Sequence, residues 1–231
     1  MAVLAHRGGT GPWRENTLEA FVGALARGAD GVEFDVRRSR DGRLVVHHDA
    51  DIPGVGAIHA LDRGDLPPWV PTLEEALGAC AGAAVNVEVK NSPVDPGYDP
   101  KETVADEVVA TLERMSGASK GPARVVVSSF WPPTVAAVRA VGPGWPTGLL
   151  VHPSRDAVDA ARQAMELGCA ALHPFHHQAT NDLVGQVHEM GMAVVVWTVN
   201  EPDDLRAVAA AGADAVISDR VETARAVLGG P

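Results

Sequence analysis

Glu33 and Asp35 are separated by one residue inside the apolar run Gly31-Val32-Glu33-Phe34-Asp35-Val36. A β-strand alternates its side chains, so an extended run here turns both carboxylates to one face. Two like charges on a largely buried strand are costly unless a cation or a proton neutralises them. His6, beside Arg7 near the start, and His48, beside Asp49, supply imidazoles, the side chains best suited to proton transfer near neutral pH. Carboxylates that gather a cation, next to imidazoles that move a proton, are the equipment of metal-assisted hydrolysis.

The segment Val85-Asn86-Val87-Glu88-Val89-Lys90 repeats the pattern. Asn86, Glu88 and Lys90 share one face of a strand, and the three valines share the other. Three oxygen donors, Glu33, Asp35 and Glu88, with no cysteine beside them, favour a hard divalent metal, Mg²⁺ or Ca²⁺, over zinc. Lys90 has two uses that the residues alone leave open: a structural ion pair with Glu88, or a positive charge aimed at an anionic ligand.

These side chains need strands to hold them and helices to cover those strands. Short β-branched runs predict strands over Val3–His6, Gly31–Val36, Val85–Lys90, Val125–Ser129, Thr147–Val151, Ala170–His173, Ala193–Val199 and Ala215–Ser218. Amphipathic stretches alternate with them, at about Thr17–Arg27, Leu73–Cys80, Thr103–Met115, Pro133–Ala140, Ala157–Leu167, Asn181–Met190, Asp203–Ala211 and Val221–Leu228. Eight strands each followed by a helix is the pattern of an α/β chain closed into a (β/α)8 TIM barrel. The rhythm breaks once, at about 44–71, where a short extra strand, Leu44–His48, leads into a loop rich in Gly, Pro and Asp. An insertion after the second strand lies over the mouth of such a barrel, where active sites form. The expectation is one TIM-barrel domain over residues 1–231.

Composition narrows the partners. A net charge of −11 argues against non-specific attraction to nucleic acid or an anionic membrane. An anionic substrate would then need a locally positive site. No apolar run is long enough to span a bilayer, and the opening residues lack the charged and apolar regions of a signal peptide. Cys80 and Cys169 fit no metal-ligand spacing, and a reduced compartment is their simple reading. A cytoplasmic protein acting on a small molecule is expected, with its oligomeric state left open.

Other residues have structural readings. His47, His59, His152, His173, His176, His177 and His188 are assigned no chemistry, since a lone histidine is more often a satisfied structural residue. Asp49 either orients His48 or caps the following turn. Asn16 or Thr17 caps the first helix, and Asp219 is structural. Trp197, near the top of the seventh predicted barrel strand, is expected to wall the pocket.

Together, His6-Arg7-Gly8, Glu15-Asn16-Thr17, Glu33-Phe34-Asp35, His48-Asp49, Pro71-Thr72-Leu73-Glu74-Glu75, Glu88-Val89-Lys90 and Trp197-Thr198-Val199-Asn200 resemble the glycerophosphodiester phosphodiesterase family, in order and over nearly the whole chain. The resemblance implies a TIM barrel with a divalent metal on Glu33, Asp35 and Glu88. It also implies general acid–base roles for His6 and His48, phosphate contacts from Arg7 and Lys90, and hydrolysis of glycerophosphodiesters to sn-glycerol 3-phosphate and an alcohol. The chain departs from the family pattern in a shortened segment at Asp51–Pro68, a region that normally shapes the alcohol side of the pocket.

Two other functions fit the same residues. One is a phosphodiesterase directed at lysophospholipids or sphingolipids, with Trp13, Ile52, Val55, Ile58, Trp69 and Val70 as an apolar gate. The other is a barrel that binds a phosphorylated ligand without turnover, although no candidate metal ligand or histidine is missing.

Overall fold

Short runs rich in valine alternate with amphipathic stretches, the pattern of strands covered by helices. In a computed structural model, which describes residues 1–116 and 121–229, β1 (Ala2–His6) and β2 (Gly31–Arg38) are followed by three short strands, β3 (Leu44–Val46), β4 (Asp51–Ile52) and β5 (Gly56–Ala57). Then come β6 (Ala84–Val89), β7 (Arg124–Ser129), β8 (Thr147–Leu150), β9 (Ala171–His173), β10 (Ala193–Val196) and β11 (Ala215–Ser218). The strands β1, β2 and β6 to β11 run parallel, each bonded to the next, and β1 pairs with both β2 and β11. The eight strands therefore close into a TIM barrel.

Helices α1 (Leu18–Ala26), α2 (Leu73–Ala79), α3 (Thr103–Ser116), α4 (Pro132–Val141), α5 (Ala157–Glu166), α6 (Asn181–Glu189), α7 (Pro202–Ala210) and α8 (Val221–Leu228) cover the outside. Their starts are written in the sequence. Thr17, Asp156 and Thr180 accept backbone N–H groups at the starts of α1, α5 and α6. Thr72 and Glu75 form a reciprocal capping box at α2.

The core has two main parts, both between strands and helices. Val32, Phe34, Val36, Val85, Val87 and Val127 pack on one side of the barrel, and Leu149, Leu172, Val194, Val196, Val216 and Leu205 on the other. Truncating a fully buried leucine such as Leu172 to alanine costs about 2–5 kcal/mol. The barrel interior is filled by Leu4, Ala215 and Ile217 with Ala2, Ala84 and Val195 against them. A Cβ on Gly31 would lie 2.2 Å from the carbonyl oxygen of Ala84, so only glycine lets β2 and β6 meet at this point.

The differences from expectation are local. The extra strand stops at Val46, and β3 pairs antiparallel with the end of β2. The strand expected over Ala193–Val199 ends at Val196. Residues after Leu44 build a small core of their own from Val45, Ile52, Ile58, Leu66 and Val70. Cys80 and Cys169 are free, buried, and held in the two separate parts of the core. Among the described residues no helix is long and apolar enough to cross a membrane.

Candidate active site

Strand register brings distant residues to one rim. His6 at the end of β1 lies opposite Glu33 on β2, and Asp35 lies opposite Glu88 on β6. One carboxylate oxygen from each of Glu33, Asp35 and Glu88 comes within 4.8 Å of the others, and all three residues are buried. Two cations answer part of this charge. Lys90 Nζ lies 3.0 Å from Asp35 Oδ1 and is also bonded to Glu88. Arg7 Nε lies 3.1 Å from Asp35 Oδ2. Both uses foreseen for Lys90 therefore start from a side chain already held by carboxylates.

The balance leaves Glu33 short of a partner. Burial and the neighbouring Asp35 charge push its carboxyl up to about 8. Burial would raise Asp35 too, but Lys90 and Arg7 hold it well below the usual carboxylate range. Glu88 is raised by burial, with Lys90 opposing. Glu33 Oε1 is buried without a hydrogen-bond donor. A divalent cation fits this donor set: it is all oxygen and supplies the positive charge that Glu33 otherwise takes as a proton.

The turn after β1 is strained to serve this cluster. Arg7 (φ 52°) and Asn16 (φ 55°) both adopt the left-handed conformation, which non-glycine residues rarely take. Asn16 Nδ2 donates to Asp35 Oδ2 at 2.9 Å, its backbone N–H donates to the Arg7 carbonyl, and Arg7 Nη1 donates to Glu15 Oε1 at 3.1 Å. Thr17 alone caps α1. Glu15-Asn16-Thr17 thus divides its work, one residue to Arg7, one to Asp35 and one to the helix.

Both histidines are anchored through Nδ1. His6 Nδ1 lies 2.7 Å from Asp219 Oδ1, and His48 Nδ1 lies 2.8 Å from Asp49 Oδ1. A carboxylate only accepts, so each Nδ1 carries the proton and each Nε2 is left for chemistry. His6 Nε2 sits 3.9 Å from Glu33 Oε2. Burial lowers both imidazoles. At His6 the Asp219 hydrogen bond and the Glu33 charge overcome it, so the group is raised; at His48, Lys90 and Arg7 reinforce it and the group is lowered.

Asp219, read from the sequence as structural, stands behind His6 and is itself held by Asn200. Asn200 Nδ2 donates to Asp219 Oδ2 at 2.6 Å, while Asn200 Oδ1 accepts from the Asp219 backbone N–H at 2.9 Å. Asp219 follows β11, and the Ala5–Ser218 register sets it beside His6. That register was the available signal, but it exists only once the barrel closes.

Trp197, just past β10, stands edge-on to Phe130 at 5.2 Å and lies 5.4 Å from Phe175, with Nε1 donating to the His173 carbonyl. A cavity of about 340 Å³ opens beside the cluster, lined by His48, Glu88, Lys90, Phe130, Trp131 and His152 among others. Of the residues that a lipid-directed enzyme would use as an apolar gate, Ile52, Ile58 and Val70 are buried in the insertion's own core and Trp69 packs against it, while Trp13 and Val55 are exposed.

Two imidazoles over three buried carboxylates, at the mouth of a closed parallel barrel, define a (β/α)8-barrel enzyme of the hydrolytic kind. The sequence model of the glycerophosphoryl diester phosphodiesterase family matches residues 6–223. A glycerophosphodiester phosphodiesterase of Caldanaerobacter subterraneus subsp. tengcongensis is 31% identical over 242 aligned positions, covering 96% of this chain and 95% of the relative. Among solved structures, a phosphodiesterase of Oleispira antarctica in complex with the product sn-glycerol-3-phosphate aligns with a TM-score of 0.83 at 25% identity, over 100% of this chain and 97% of that one. A glycerophosphodiester phosphodiesterase of Thermotoga maritima aligns with a TM-score of 0.75 at 26% identity, over 96% of each chain. The chain belongs to the glycerophosphoryl diester phosphodiesterase family and is a phosphoric diester hydrolase.

Proposed function

We propose that this enzyme hydrolyses glycerophosphodiesters to sn-glycerol 3-phosphate and an alcohol, with His6 and His48 as its acid–base pair and with Mg²⁺ or Ca²⁺ on Glu33, Asp35 and Glu88. The observation that carries the acid–base reading is the paired anchoring of His6 by Asp219 and His48 by Asp49. Product binding by the Oleispira relative supports the choice of substrate.

A bound cation would neutralise the non-bridging oxygens of the diester and so lower its resistance to a nucleophile. The side chains do the rest. The two imidazoles shift in opposite senses, His6 upward and His48 downward, a division suited to acid and base. His48 Nε2 takes the proton of the attacking hydroxyl, and His6 Nε2 protonates the departing alcohol. Arg7 and Lys90, held by Asp35 and Glu88, keep positive charge beside the phosphate position. Trp197 and Phe130 form an aromatic wall that orients the carbon skeleton.

Release of sn-glycerol 3-phosphate from glycerophosphocholine, with Mg²⁺ or Ca²⁺ present and then chelated, tests the proposal. Metal-dependent release is expected, with kcat reduced about 10²–10⁴-fold in His6→Ala and His48→Ala. Undiminished turnover in chelator would remove the metal role, and near-normal turnover in either variant would remove that histidine's role.

A further inference from the structure

A second cluster of metal-ligating side chains lies outside the carboxylate site. His176 and His177 occupy a short 3₁₀ turn after β9, and Asp204 lies in the first turn of α7. One donor atom from each residue comes within 4.8 Å of the other two. His176 Nδ1 is 3.5 Å from Asp204 Oδ2. Tetrahedral coordination at bond lengths of about 2.0–2.2 Å places neighbouring ligand atoms about 3.3–3.6 Å apart. One pair already has that spacing.

We propose that His176, His177 and Asp204 form a second metal site, selective for a borderline divalent cation of the zinc, cobalt and nickel class. Two imidazole nitrogens and one carboxylate oxygen favour these ions over Mg²⁺ and Ca²⁺, which the all-oxygen cluster favours. The two imidazole rings stand 3.9 Å apart, tilted by 37°.

One ligand is held and two can adjust. The His176 backbone N–H donates to the Trp197 carbonyl at 2.9 Å, and its ring packs on Phe175 at 4.4 Å. His177 is exposed and Asp204 partly so, which lets both side chains close on an ion and leaves room for water to complete the coordination. None of the three ligands is among the residues assigned to the diester chemistry, and the two sites meet only through the Trp197 backbone that holds His176.

The test uses Co²⁺ as the probe. Chelator-stripped protein in excess Mg²⁺ is titrated with Co²⁺, and visible absorption is read alongside bound cobalt by equilibrium dialysis. One equivalent with a visible band that Zn²⁺ displaces is expected, and it persists in Glu33→Gln. His177→Ala and Asp204→Asn should each weaken binding by more than the roughly 10–100-fold that follows loss of an outer-shell partner. Both substitutions lie outside the core, and metal-free melting temperatures report whether the variants fold. Uptake unchanged in folded His177→Ala and Asp204→Asn, uptake lost in Glu33→Gln, or no uptake above the Mg²⁺-filled protein would each overturn the proposal.

Discussion

The imidazole Nδ1 of His6 lies 2.7 Å from Oδ1 of Asp219, a contact made across 213 positions of the chain. Asp219 fixes which nitrogen of His6 carries a proton, and its charge favours the imidazolium. Asp219→Asn keeps the shape and removes the charge. It should lower kcat by about 10²–10⁴-fold, by analogy with the orienting carboxylate of a catalytic triad. It should also draw the alkaline limb of the pH–rate profile towards neutrality, because His6 then loses its proton at lower pH. A profile whose alkaline limb stays in place would show that Asp219 does not act through His6.

The proposed metal ligand Glu33 also bears on stability. Its carboxyl sits at about 8 in the metal-free fold, against an ordinary value of 4.5. The folded state then holds a proton that the unfolded chain has released. Stability is fully present below the ordinary value and is lost as pH rises through the folded one, at up to about 1.4 kcal/mol per pH unit. Metal-free protein should therefore unfold more readily in urea at pH 8 than at pH 6. Glu33→Gln should flatten that slope, and it should remove any rise in melting temperature that Mg²⁺ or Ca²⁺ produces in the parent protein. A slope that persists in the variant would assign it to another group.

His173 acts in the opposite sense. Its ring is buried, both nitrogens lack hydrogen-bond partners, and burial lowers it to about 3. Gly148 makes room for it, since a Cβ there would lie 2.4 Å from Nε2. The unfolded chain takes up a proton below about 6.5 while the fold does not, so stability falls as pH drops from 6.5 towards 3. His173→Leu should make that acid decline shallower, read as urea midpoints between pH 4 and 7. Equal slopes in the two proteins would count against a neutral buried ring.

The Pro71-Thr72-Leu73-Glu74-Glu75 motif is spent on folding. Thr72 accepts from the Glu75 N–H, and Glu75 Oε2 accepts from the Thr72 N–H at 2.7 Å. Thr72→Ala should reduce stability by about 1 kcal/mol and leave kcat unchanged. A large loss of kcat with unchanged stability would give the motif a role in the site.

The placement of Glu33, Asp35 and Glu88 was legible because period-two alternation inside buried strands leaves polar residues only one place to go. The barrel was legible from its eight repeated units. Asn16 was harder to read: a residue before a helix reads as a cap, yet Thr17 takes that task and Asn16 turns back to Asp35. His48 reaches the rim although its strand ends at Val46, because the His47 N–H donates to the Asp35 carbonyl and Arg37 Nε donates to the His48 carbonyl. Such contacts belong to closed tertiary structure, and no spacing in the sequence encodes them. The same holds for His177 and Asp204, which meet only where the turn after β9 comes against the start of α7.

Closure of β11 onto β1 has a consequence for the order in which the enzyme comes of age. All three carboxylates lie within the first ninety residues, on the adjacent strands β2 and β6, whereas the partner of His6 arrives with the last strand. The cation ligands thus need only β2 and β6 to pair, whereas His6 gains its Nδ1 partner only when β11 seals the barrel. Under the acid–base role proposed for His6, that seam doubles as a safety catch, keeping the hydrolytic step disarmed until the barrel is shut.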